Sequence, residues 1–138
     1  MSQENVETVR RIYELVLAPG RFPGTAEVMP RLFDPEVELR QISSMLGTAR
    51  DFHGYRGLAD AAREILQVTT DIGYVAEEVR AVGDRVATVA LISGTGRLSD
   101  APFERRTGQL FALRNGRVVR WEAFDDPADA FRAAGLSE

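Results

Sequence analysis

Three side chains in this sequence have the type and setting for proton chemistry. Glu122 lies in the segment Trp121-Glu122-Ala123-Phe124-Asp125 near the end of the chain. A carboxyl group in an apolar pocket has its charged form disfavoured, which moves its pKa toward the range of a working acid or base. The other reading open to Glu122 is an ion pair with Arg120, Arg114 or Arg106 across a sheet. Tyr13 falls on the apolar face of the first helix, beside Ile12 and Val16. Its hydroxyl can donate a hydrogen bond to a bound oxygen, or it is a core tyrosine bonded to backbone or water. His53, the single histidine, stands in Phe52-His53-Gly54-Tyr55-Arg56-Gly57. It is either an acid or base at a pocket mouth or a residue of a surface loop. Arg105-Arg106 reads as strand charges partnered by Glu77, Glu78 or Glu104 rather than as an anion site.

These residues need elements to position them. Val6, Val9, Ile12, Tyr13, Val16 and Leu17 recur at helical spacing, so a helix spans about 4 to 18, ended by Pro19-Gly20. Thr25 can cap a second helix with the face Val28, Met29, Leu32 and Phe33; Pro30 inside it predicts a kink or a late start. Val37, Leu39 and Gln41 alternate with Glu38, Arg40 and Ile42 as a first strand, and 43–57 reads as a long connection. A third helix carries Leu58, Ala61, Ala62, Ile65, Leu66 and Thr69. Beyond Gly73 the period becomes two. Strands over 74–82 and 85–97 flank Gly83-Asp84, and strands over 103–114 and 117–125 flank Asn115-Gly116, both hairpin signals. Gly94 and Gly96 predict a bulge or sharp curvature. Asp126-Pro127 starts a last short helix that Gly135 ends. On the last strand, alternation puts Val118, Arg120, Glu122 and Phe124 on one face and Val119, Trp121 and Ala123 on the other, where Trp121 suits a dimer contact or a covered sheet face.

Helices first and strands second make an α+β protein. The expected architecture is a curved, mainly antiparallel (mixed) sheet packed on three N-terminal helices and enclosing an apolar pocket. Such a pocket is the default binding site. The 138 residues fit a single domain over 1–138. With no cysteine and one histidine, the sequence excludes a disulfide scaffold, a thiolate metal site and any site needing two histidines. All 17 basic residues are arginine, which excludes Schiff-base chemistry on lysine. A net charge of −4 argues against nucleic acid. The apolar runs are too short for a membrane span and the polar, acidic N-terminus is no signal peptide, so a cytoplasmic protein is expected.

The sequence resembles the SnoaL-like branch of the nuclear transport factor 2-like superfamily. The matching segments are the helix Glu4-Asn-Val-Glu-Thr-Val-Arg-Arg-Ile-Tyr-Glu-Leu-Val16, then Leu32-Phe33-Asp34-Pro35-Glu36-Val37, Phe52 to Leu58, and Asn115 to Asp125. The resemblance spans nearly the whole chain. It implies a cone-shaped α+β barrel with a deep apolar pocket, often dimerised through the outer sheet face. It further implies cofactor-free isomerase, cyclase or hydrolase chemistry on an apolar, oxygenated small molecule. A non-catalytic ligand-binding or dimerisation domain is the alternative. Carried over by position, Glu122 corresponds to a last-strand acid and Tyr13 to a pocket tyrosine. Leu39, Gln41, His53, Arg120, Phe124 and Phe111 are the ligand-binding candidates, and no metal or cofactor is implied. The isomerases' base position on the first strand falls on Leu39 or Arg40, which argues against that reaction. The Arg-x-Asp half of the epoxide hydrolases' site is missing from Leu91–Arg97, where only Arg97 remains.

Overall fold

The computed structural model describes residues 2–41 and 49–136. Helix α1 (Ser2–Ile12) runs directly into one π-helical turn, Tyr13–Leu17, so the helical rod covers the expected span. Val9, Ile12, Tyr13, Val16 and Leu17 are buried along its sheet side, as their spacing predicts. The second helix contracts to the single turn α2 (Met29–Leu32). Pro30 is tolerated only in a first turn, where its missing N–H leaves no bond unmade. Phe33 then turns extended and opens β1 (Phe33–Gln41). The strand therefore starts four residues before Val37, and Asp34-Pro35 lies within it.

A short strand, β2 (Arg50–His53), was not expected from the sequence. Only its Phe52 is buried, and three polar neighbours hide the alternation. It pairs antiparallel with β1, Leu39 opposite Phe52. The expected end of the first strand at Ile42 and the start of the connection lie outside the described residues. Helix α3 (Gly54–Val68) begins at once and stops where Thr69 donates its hydroxyl to the Ile65 carbonyl at 2.8 Å. Two helices rather than three thus cover the sheet, with α2 a single turn beside them.

Strands β4 (Arg85–Gly96), β5 (Pro102–Arg114) and β6 (Arg117–Phe124) follow close to the expected spans, whereas β3 (Thr69–Val82) starts five residues before 74 and takes up Thr69, expected on the third helix. Asn115 and Gly116 both have positive φ, 55° and 76°, the pairing that a tight right-twisting hairpin requires. The sheet order is β2-β1-β6-β5-β4-β3, with only β1 and β6 parallel. The result is a six-stranded mixed sheet, curved and not closed. Between β3 and β4 the register shifts at Thr70/Gly73 and Ala76/Glu78, and further shifts fall between β1 and β6 and between β5 and β6. The β4–β5 register past Gly94 is unbroken, so the β3–β4 bulges sit on β3 rather than at the β4 glycines.

Helix α4 (Pro127–Ala133) is capped by Asp126, whose carboxylate accepts the Ala128 N–H at 2.9 Å. It packs Phe131 and Ala134 on Ala87 and Leu110, on the convex side of the sheet. Gly108 makes this approach possible: a Cβ there would lie 2.7 Å from both the Ala130 Cβ and the Pro127 Cα. Among the described residues, no helix is long and apolar enough to cross a membrane.

Candidate functional site

The last strand decides which side chains meet the pocket. Leu113 pairs with Val118 but the next β5 residue, Ala112, pairs with Arg120, so β6 carries one extra residue at Val119. This bulge breaks the expected alternation. Val118 and Trp121 both face the core, and Arg120 and Glu122 turn to the convex side. Past the bulge the period of two resumes, so Trp121 and Ala123 occupy the concave row and Asp125, the first residue after β6, continues it.

The concave face, α1 with its π-helical turn, α2 and α3 enclose a cavity of about 300 Å³. This is the low end of the range for small-molecule sites. Its walls are apolar: Val16, Leu17 and Phe22 from the N-terminal segment, Leu58, Ala61 and Ile65 from α3, and Leu39, Ile92 and Trp121 from the sheet. Trp121 is sandwiched between Phe33 (centroids 5.7 Å apart) and Phe111 (5.2 Å), and Phe22 stacks on Tyr74 at 5.8 Å. These contacts hold flat surfaces rigid against the space.

Few polar groups interrupt the wall. Gln41, Thr107, Gln109 and Tyr74 line it, each buried from bulk solvent. Thr107 donates to the Ala90 carbonyl at 3.5 Å. Gln109 Oε1 accepts the Trp121 indole N–H at 2.9 Å and the Tyr13 hydroxyl at 3.4 Å. Tyr13 also meets the Thr88 hydroxyl at 2.7 Å. Gln41 and the Tyr74 hydroxyl have no side-chain partner among the described residues. Burial pushes the Tyr74 phenol up to about 12, with the Arg105 guanidinium opposing the rise. Burial raises Tyr13 further, against its bond to Thr88.

Arg105 and Asp125 form a half-buried ion pair at 2.9 Å. Arg105 stands opposite Ile92, which stands opposite Tyr74, so all three share the concave row. Its neighbour Arg106 alternates to the other face and pairs with Glu77 at 2.6 Å, as expected. The Arg105–Asp125 pair is not legible in the sequence, where Asp125 marks only the end of the last strand. Continuing the alternation from Trp121 would have found it, had the bulge at Val119 been visible.

Of the sequence-derived candidates, the structure places Leu39 and Gln41 on the cavity wall; Phe124 borders the cavity at the end of β6, but packs with Leu110 and Phe131 beneath α4. The others require correction. Glu122 stands off the lining, on the convex side, 3.5 Å from Arg120. Arg120 is there too and reaches Glu38 at 3.0 Å. Tyr13 is a core residue behind the wall, its hydroxyl held by Thr88 and Gln109. Phe111 is fully buried behind Trp121. His53 is exposed, 3.0 Å from Glu36, and opens on a charged depression between β2 and α3 rather than on the cavity. Of the two settings open to Trp121, a dimer contact or a covered sheet face, the structure has the second: it faces inward on the concave side. Among the described residues, no group of three or more His, Asp or Glu side chains is placed to hold a metal ion.

Comparison with known proteins agrees with this architecture. Among curated proteins none matches in sequence. TerC, in a crystal with polyporic acid, superposes with a TM-score of 0.74 at 18% identity, over 96% of this chain and 98% of that one. A putative SnoaL-like polyketide cyclase from Jannaschia sp. CCS1 gives 0.70 at 22% identity, over 99% and 95%. A de novo designed protein with a curved β-sheet gives 0.64 at 18% identity, over 98% and 95%. At these identities the likeness is one of fold, and the designed protein shows that this fold can exist apart from any natural activity. The sequence model of the SnoaL-like domain matches residues 9–121. With that match over most of its length, and with the curved mixed sheet wrapped around an apolar cavity, the chain belongs to the SnoaL-like family.

Proposed function

We propose that this protein takes an apolar, carbonyl-bearing small molecule into the cavity and moves a proton on it, with Asp125 rather than Glu122 as the carboxylate. The observation that supports this reading is the cavity itself. Its wall is apolar, yet it carries buried polar side chains, Gln41 and Tyr74, that the described residues leave without partners. Their polar atoms are not sealed off but open to the cavity, where a ligand can supply the missing partner. Asp125 continues the concave row of β6 and is held by Arg105, beside Tyr74. A carboxylate there serves as acceptor for a carbon-bound proton. Tyr74 stays neutral until strongly alkaline pH and so remains a donor to the oxygen that gains charge on enolisation. That TerC, which shares the fold, was crystallised with polyporic acid fits a ligand of this kind.

A second reading, binding without turnover, is favoured by one observation: among the described residues, no carboxylate lines the cavity. The two separate on one experiment. 2-Tetralone, a small apolar enolisable ketone, is incubated with the protein in D2O, and loss of its α-proton signals is followed by NMR. Exchange above the buffer rate that disappears in Asp125→Asn supports proton transfer. Saturable binding without exchange supports the second reading. Neither binding nor exchange overturns both.

Self-association through the convex sheet face belongs to the same reading. Exposed Val75 lies there, beside the Glu77–Arg106 pair and away from α4. A monomer in native mass spectrometry would remove it.

A further inference from the structure

Gln109 has a feature that the apolar wall around it does not explain. Its amide can be placed either way round in principle, but here one neighbour fixes the sense. The Trp121 indole nitrogen only donates, so the atom it meets at 2.9 Å must be the amide oxygen. Tyr13 cannot settle this, because its hydroxyl both donates and accepts. The amide nitrogen is thereby committed to the remaining position. No side chain or carbonyl among the described residues accepts from it, although Gln109 is only 2% exposed. The nitrogen is also not among the fully enclosed side-chain atoms that lack a partner among the described residues. Gln109 lines the cavity, so the cavity is where this nitrogen opens.

The row across the sheet adds a second constraint. Gln41 pairs with Ala123, and Ala123 with Gln109. The two glutamines therefore stand on the concave face on either side of an alanine, about 10 Å apart at the backbone. Ala123 leaves open space between them, and the Trp121 ring lies two residues back along the same strand.

We infer that Gln109 is the specificity-determining residue of the cavity: it presents a fixed N–H donor that selects ligands with a carbonyl or similar acceptor oxygen over apolar molecules of the same shape. Trp121 is its positioning residue. The inference rests on the pocket reading above and deepens it.

The test uses two flat probes that differ at one atom. Fluorenone carries an acceptor oxygen and cannot enolise; fluorene has the same skeleton without it. Both affinities are measured by equilibrium dialysis. The expected wild-type ratio is about fivefold to tenfold in favour of fluorenone, the size of one net hydrogen bond. In Gln109→Met the ratio falls to about one. Because that variant orphans the indole N–H, the double variant Gln109→Met/Trp121→Phe removes both groups and is expected to give the same ratio in a folded protein. In Trp121→Phe alone both amide groups remain but their sense is released, so the ratio falls partway. A purely structural role for Trp121 would weaken both probes equally. Equal binding of the two probes by the wild type, or a preference that survives in Gln109→Met, overturns the inference and leaves the pocket reading standing. Failure of both probes to bind overturns the two together.

Discussion

Arg120 and Glu122 stand side by side on the convex face of β6, 3.5 Å apart, while Trp121 between them faces the cavity. Both charged groups keep solvent contact, at 43% and 22% of the side chain. Such pairs contribute about 0–1 kcal/mol. Glu122→Gln is therefore expected to lower stability by no more than that in chemical denaturation, and to leave ligand affinity unchanged. A loss of affinity of tenfold or more would return Glu122 to the site.

The two buried phenols govern the alkaline limit of the fold. Unfolded tyrosine ionises near pH 10, whereas Tyr74 in the fold holds its proton to about 12 and Tyr13 holds its own beyond that. The raised native values mean that their contribution is complete below pH 10. It is lost as pH climbs, at about 1.4 kcal/mol per pH unit for each phenol. Denaturation midpoints measured from pH 8 to 12 are expected to fall steeply above 10. Tyr74→Phe should flatten that fall; an unchanged slope would mean that Tyr74 ionises freely in the folded chain.

Gly108 and α4 touch too closely for any side chain. Gly108→Ala places its Cβ 2.7 Å from Ala130 Cβ and Pro127 Cα. Either the helix shifts or the strand does, at about 1–3 kcal/mol. Thermal unfolding is expected to show that loss, with cavity binding retained. A neutral substitution would show that α4 rides loosely on the sheet.

The cap of α4 is a smaller, separable effect. Asp126 accepts the Ala128 N–H at 2.9 Å. Asp126→Ala should cost about 1 kcal/mol and Asp126→Asn much less. The pair should be additive with substitutions on the concave face, since the helix and the cavity lie on opposite sides of the sheet.

Trp121 reports on the wall directly, as the chain's single tryptophan. It is 8% exposed and stacked between two phenylalanines. Its emission is expected to be blue-shifted in the folded protein and quenched on filling the cavity with an aromatic ketone. Emission at the solvent-exposed wavelength would place the indole outside.

Much of this protein was determined by local sequence. The α1 period, the Asn115-Gly116 turn, the strand pairs around it and the Asp126-Pro127 start of α4 each depend on residues within a few positions of one another. Leu39 and Gln41 could be placed on the concave row because no irregularity falls between them. Two features escaped for the same reason. β2 is four residues long with one apolar side chain, too short to establish a period. The bulge at Val119 appears only in the pairing of β6 with β5, and nothing in Arg117-Val-Val-Arg-Trp marks it. That one extra residue moved Glu122 out and Trp121 in, since side chains alternate with every step. The partners that make Gln109 and Asp125 interesting, Trp121 and Arg105, come from neighbouring strands. Which residue types the chain carries was legible from the sequence; which of them meet across the concave face was decided only by strand register, a property of the assembled sheet.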